Sequence, residues 1–257
     1  MAIFTDAIVI HAFDYLESSR ILKIVTREAG VRSVLARGAR SSRKRFGSAL
    51  DLFAEGVAEL HTKVGRDLDT LASFDVNRAR PSLATYLERF AGASAIAELT
   101  LHFARDAADP GLFSAVSSSL DEIGNAAPER AREATLAGAW RILAELGVAP
   151  TVDDCAECHT AVDASIPAMF SHPAGGVLCE RCARLARSGR VLPVSARDAL
   201  RAWLAGTPSP LLDVQEGHAH QRLLREFLRE HLADDRPLRA FEAWERDALT
   251  PVAGAAS

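Results

Sequence analysis

Lysine is almost missing from this 257-residue chain: only Lys23, Lys44 and Lys63 stand among 30 basic residues, the rest being arginine. Such a bias reads as codon usage across a whole genome, so arginine as a residue type carries no signal and only its clustering does. No apolar run approaches the roughly 18–20 residues that a bilayer crossing needs. Asp6 stands where a signal peptide would carry positive charge, and together these absences predict a cytoplasmic chain with no membrane partner. Catalytic signatures are missing as well: there is no G-x-x-x-x-G-K-[ST], G-x-G-x-x-G, G-x-S-x-G or H-E-x-x-H, which predicts a protein without enzymatic activity. The acidic pairs Asp121-Glu122, Asp153-Asp154 and Asp234-Asp235 read as caps or solvated faces. His218 and His220 read as a surface feature at a helix start.

What is present is unevenly spread. The formal net charge is −4, yet residues 1–80 hold 13 basic against 10 acidic residues, while the remainder holds 17 against 24. Within 20–45 the cations Arg20, Lys23, Arg27, Arg32, Arg37, Arg40, Arg43, Lys44 and Arg45 face only Glu28. A field that dense acts within a Debye length of roughly 8–10 Å, whatever the distant net charge.

Periodicity divides the chain. Short runs rich in β-branched and apolar residues at 7–13, 21–27, 31–36, 52–60 and 68–76 are separated by turn-forming material, the pattern of a small antiparallel barrel or sandwich. Leu22 and Ile24 alternate with Lys23 and Arg27, so one side of that sheet should be basic. After Pro81 the period becomes helical: Leu83 to Leu101, a weaker candidate at Leu112 to Ile123, Leu136 to Leu146 stopped at Gly147, a start at Ser195 with Asp198, and His220 to Leu232. The apolar stripes read as core. The predicted organisation is α+β and multidomain, with a β-rich unit over 1–80, a helical domain over 81–150 and 191–249, a cysteine module over 151–190 and a flexible tail over 250–257.

All four cysteines fall into two C-x-x-C pairs, Cys155 with Cys158 and Cys179 with Cys182, 20 residues apart. Two such turns complete the four-thiolate tetrahedron that Zn²⁺ favours. Disulfides, a c-type haem at Cys155-Ala-Glu-Cys158-His159 and a redox pair are the competing readings. Metal is favoured over all three, with zinc ahead of an iron–sulfur cluster. Four thiolates leave no open position, so the expected single zinc is structural. His159 and His172 are the reserve ligands.

Several stretches together, Asp14 to Arg20, Thr26 to Gly30, Arg37-Gly38-Ala39-Arg40, Ser42 to Gly47, Leu50 with Phe53, and Leu68 to Leu71, resemble the RecO family of bacterial recombination mediators. The resemblance implies a five-stranded OB-fold barrel at the N-terminus, then an all-helical domain with an inserted four-cysteine zinc module. It also implies a function: binding single- and double-stranded DNA, annealing complementary strands and, with RecR, helping to load RecA onto DNA coated by single-stranded DNA-binding protein (SSB), in the bacterial cytoplasm and at the nucleoid during repair. Arg20, Lys23, Arg27, Arg32, Arg37, Arg40, Arg43, Lys44 and Arg45 are then the phosphate contacts and Phe46 a stacking candidate, beside Phe13 and Tyr15. With aromatics at only 6%, charge should dominate over stacking. Arg222, Arg225 and Arg229 are the candidates for the C-terminal tail of SSB. A nucleic-acid-modifying enzyme with an OB capture domain and a zinc-containing DNA-binding regulator are the alternatives from other classes.

Overall fold

Residues 1–39, 46, 50–62, 65, 67–104, 107–231 and 237–247 are described by a computed structural model of the chain. Arg40, Arg43, Lys44, Arg45, the Asp234-Asp235 pair and the tail from 250 therefore lie outside the described residues.

The alternating N-terminal runs form five strands: β1 (Ala2–Tyr15), β2 (Ser19–Thr26), β3 (Gly30–Ala36), β4 (Glu55–His61) and β5 (Leu68–Arg78). They close into a barrel in the order β1-β2-β3-β5-β4. Every pair is antiparallel except β3 with β5, the parallel pair that completes closure. Leu22, Ile24, Val34, Ala36, Ala58, Leu60 and Leu71 fill the interior, as period-2 alternation requires. Outward residues at one end, Ile8, Ile10, Val25 and Phe53, join the core of the helical body instead. One patch of the barrel wall is thus an interface with helices.

A 3-10 turn at Pro81–Ala84 leads into α1 (Leu87–Phe103) and α2 (Pro110–Asn125), and a second at Pro128–Arg130 leads into α3 (Ala131–Glu145). Asp109 caps α2 by accepting from the Leu112 amide, and Gly147 ends α3 at φ +76°, the left-handed position where only glycine is unstrained. Beyond the cysteine module, which contains the short α4 (Glu180–Leu185), come α5 (Val194–Leu204), α6 (Val214–His231) and α7 (Arg239–Asp247). Ser195 is not the cap of α5: Pro193 occupies that position, and the Ser195 hydroxyl hydrogen-bonds Glu216. Because α6 begins six residues before His220, that histidine falls on the buried face, 1% exposed and edge-on to Trp203 at 4.7 Å. It is a core residue, not a surface one.

The barrel is tied to the body by charge. Arg80, on the linker after β5, donates to Glu55 at 2.6 Å, to Asp121 at 2.7 Å, to the Phe53 carbonyl at 2.9 Å and to Ser117 Oγ at 2.9 Å. Asp121, expected at a solvated element end, is instead a partner of Arg78 and Arg80 across this seam. No helix of the described residues is long and apolar enough to cross a membrane.

Candidate nucleic-acid interface and metal centre

Cross-strand register decides which cations of the barrel share a face. Phe13 lies opposite Ile21, and Ile21 opposite Leu35; His11 lies opposite Lys23, and Lys23 opposite Ser33. These rows stand on the outer wall of β1, β2 and β3, beyond the part that the helices cover. Phe13 and Tyr15 are 43% and 41% exposed there, Lys23 donates to Ser33 Oγ at 2.5 Å, and Arg37 follows β3 exposed. The result is a pleated face with aromatic rings along β1 and ammonium and guanidinium groups on the β2 and β3 side of them.

The other predicted cations are elsewhere. Arg20 sits at the open rim of the barrel, paired with Asp14, in a shallow cleft with Phe13, Leu50, Asp51 and Leu52. Arg27 is at the seam: it donates to Asp6 at 3.0 Å while its guanidinium lies 4.5 Å from the centre of the Phe113 ring of α2. Arg32 is bound at 2.6 Å to Asp69, a carboxylate 2% exposed. The expectation of one basic side therefore narrows, because alternation sends Arg20 and Arg32 to the barrel's ends and the helices cover the ground around Arg27. Phe46 is no stacking platform in this conformation: it is 3% exposed and packs in the barrel core with Leu50.

On α6, Arg225 donates to the buried Glu245 of α7 at 2.7 Å, which occupies it in holding the two helices together. Arg222 is half-buried and Arg229 exposed.

The cysteines converge. Cys155 and Cys158 flank a turn closed by the His159 amide donating to the Cys155 carbonyl, with His159 at φ +58°. Cys179 precedes α4, which carries Cys182. The hairpin of β6 (Ala168–Ser171) and β7 (Gly176–Leu178), extended by β8 (Arg190–Leu192), returns the second pair to the first. Gly176 is needed where this hairpin crosses Thr151, since a Cβ there would stand 2.2 Å from the threonine hydroxyl. All four sulfurs lie within 4.8 Å of one another, and Cys158 Sγ and Cys179 Sγ are 3.6 Å apart. A tetrahedron with metal–sulfur bonds of about 2.3 Å has edges of about 3.8 Å, so the cluster fits a metal ion. As thiols the four do not ionise alike. Hydrogen bonds from Thr160 hold Cys158 down to about 5, while desolvation, then the neighbouring sulfurs, push Cys182 up to about 12. Four thiolates in one shell need a cation between them. His159 and His172 are not members of the cluster.

One residue that the sequence did not mark holds the module to the body. Arg197 of α5 is 0% exposed and donates to three main-chain carbonyls of the module, Val152 at 2.6 Å, Asp163 at 2.6 Å and Val162 at 2.8 Å. Beside it, Phe170 of β6 packs against Phe227 of α6, whose ring is edge-on to Trp140 of α3.

Comparison with known proteins agrees with this architecture. The family model for the recombination protein O N-terminal region matches residues 1–80, and that for its C-terminal region matches 85–240. A "DNA repair protein RecO" of Anaeromyxobacter sp. (strain Fw109-5) is 36% identical over 255 residues, covering 96% of both chains. That of Myxococcus xanthus (strain DK1622) is 32% identical over 233 residues, covering 88% of this chain and 91% of its own. That of Synechococcus sp. (strain JA-2-3B'a(2-13)) is 31% identical over 253 residues, covering 92% and 87%. An OB-fold barrel, a helical body carrying a four-cysteine cluster, and matches spanning nearly the whole length place the chain in the RecO family of DNA repair proteins.

Proposed function

We propose that the chain is a non-enzymatic recombination mediator of the bacterial cytoplasm and nucleoid. It binds single- and double-stranded DNA, anneals complementary strands and, with RecR, loads RecA onto DNA coated by SSB. The observation that carries this reading is the outer face of β1, β2 and β3, where Phe13 and Tyr15 of β1 stand beside Lys23 of β2 and Arg37 after β3. An OB barrel holds a single strand through such a combination, cations along the backbone and rings under the bases. Phosphate contact is blind to sequence, which suits a protein that must act at any break.

In this reading residues 1–80 are the nucleic-acid-binding unit, 81–150 and 191–249 the helical domain and 151–190 the metal module. Lys23, Arg37 and Arg20 contact phosphates, joined by Arg40, Arg43, Lys44 and Arg45 from the following segment. Arg27 and Arg32, held by Asp6 and Asp69, contribute only to the surrounding field. Arg229 and Arg222 remain the candidates for the acidic tail of SSB. Cys155, Cys158, Cys179 and Cys182 hold one structural zinc, which supplies cohesion and no chemistry.

Salt titration of single-stranded DNA binding tests it. Removing one phosphate-binding cation should reduce the log–log slope by about 0.7, so Lys23 and Arg37 changed together to Ala should give a slope shallower by about 1.4, equally on different sequences. An unchanged slope would remove this face from the interface.

A further inference from the structure

The segment after the barrel's third strand carries an uncommon conformation. Phe53 has φ +69°, a left-handed backbone that aromatic residues rarely adopt. It is fixed from both sides: its amide donates to the Val9 carbonyl at 2.7 Å, and the Val9 amide donates to the Ala54 carbonyl at 2.9 Å. Val9 is also where the register of β1 with β2 shifts, and Arg80 holds the Phe53 carbonyl from below. Strain so heavily constrained is commonest at functional sites.

Its effect is to turn one loop into a bridge. Leu50, Asp51 and Leu52 line the rim cleft with Phe13 and Arg20. The Phe53 ring turns the other way and meets Phe90 of α1 edge-on at 6.1 Å. Phe90 nevertheless stays 39% exposed, and one turn earlier Tyr86 is 48% and Leu87 62% exposed. The Arg89 guanidinium lies over the Tyr86 ring at 4.8 Å while donating to the Ala126 carbonyl. Phe13 and Leu52 share the rim cleft with Arg20 and its partner Asp14, the chain passes from Leu52 to Phe53, and Phe53 meets Phe90, one turn from Tyr86 and its Arg89. Glu88 is the carboxylate of that turn, and Asp14 and Asp51 are those of the rim cleft.

We infer that the path of a bound single strand continues past the barrel, across the 50–53 bridge, onto the first turns of α1, where Phe90 and Tyr86 are stacking platforms for bases. Planar rings spaced along a surface with cations alongside fit unpaired bases and their phosphates, and they do not fit a duplex, whose base faces are already stacked. The inference rests on the reading of the β1-β2-β3 face given above.

Fluorescence anisotropy with oligothymidylate of about 20 nucleotides, using the full chain, tests both and tells them apart. Phe90→Leu keeps an apolar side chain against Phe53, and Tyr86→Ala removes an exposed ring, so both should fold, as circular dichroism would check. Each should weaken single-strand binding by about five- to 150-fold with the salt slope unchanged and duplex binding unaltered. Photocrosslinking with 5-iodouracil placed along the oligonucleotide should label the peptide containing Tyr86 and Phe90. Wild-type affinity in both variants, with the Lys23/Arg37 change still flattening the slope, would overturn this inference and leave the barrel reading standing. Equal losses on duplex would overturn it too, and no binding by the wild type at low salt would sink both.

Discussion

Arg80 offers the sharpest test of how barrel and body are joined. Its side chain is 3% exposed, and it spends its donors on Glu55, Asp121, Ser117 and the Phe53 carbonyl. Replacing it by Met keeps the aliphatic stem but strands Glu55, a carboxylate that is itself buried. Breaking a buried pair from one side costs about 3–5 kcal/mol. The Ser117 hydroxyl still reaches Glu55 at 2.6 Å, and Arg78 stands 3.8 Å away, which argues for the lower end, about 3 kcal/mol at pH 7. Urea denaturation followed by far-ultraviolet circular dichroism measures this. Burial alone would push the Glu55 carboxyl up, but hydrogen bonds from Ser117 and Arg80, with the charges of Arg80 and Arg78, outweigh it and hold the group below 4.5. A depressed carboxyl stabilises the fold above its unfolded value and loses that contribution as pH falls through the folded one. The gap between wild type and Arg80→Met should thus be widest above pH 4.5 and narrow below it. Adding Glu55→Gln to Arg80→Met should restore about 1 kcal/mol or more, since no charge is then stranded. A single variant within 1 kcal/mol of wild type, or a gap constant from pH 7 to 3.5, would refute the reasoning.

His220 predicts a second acid effect, of a different origin. Burial holds this imidazole down to about 4, against 6.5 when unfolded, so its neutral form stabilises above pH 6.5 and up to about 3 kcal/mol is lost as pH falls from 6.5 to 4; His220→Phe, which keeps a ring against Trp203, should flatten that part of the curve. Metal analysis should return about one zinc per chain, and Cys155→Ser should lose it and expose 151–190 to limited proteolysis; a metal-free chain of normal stability would exclude a structural centre. Changing Arg43, Lys44 and Arg45 together to Ala should make the salt slope of single-strand binding shallower by about two units, and an unchanged slope would remove that segment from the interface.

The barrel was legible because each strand has one buried face, so alternation shows in the letters. α1 showed its helical period from Leu83 to Leu101 although it buries Ala91, Gly92, Ala93, Ala95, Ile96 and Ala97 almost without a polar stripe. α2 read weakly because Ser114, Ser117, Ser118 and Ser119 are poor helix formers, yet three of their hydroxyls donate back to carbonyls four residues earlier, and Ser117 bonds Glu55 instead. The cysteine cluster was fully readable, since two fixed spacings define it. What spacing could not show is pairing between distant residues. Arg80 meets Glu55 and Asp121 from 25 and 41 residues away, and nothing in the letters joins Arg197 to Val152. Phe46 looked like a ligand contact for its basic neighbours, although the interior of the barrel claimed it. His220 was misjudged by the position of one helix start.

Arg197 bears on the order in which the chain can be completed. Its three acceptors are carbonyls at 152, 162 and 163, set in place by the hairpins that the cysteines gather. A guanidinium cannot enter a dry interior before those oxygens are there to receive it. During synthesis the two thiol pairs emerge ahead of α5, so the module's carbonyls can be in place before the helix that carries Arg197 packs against them.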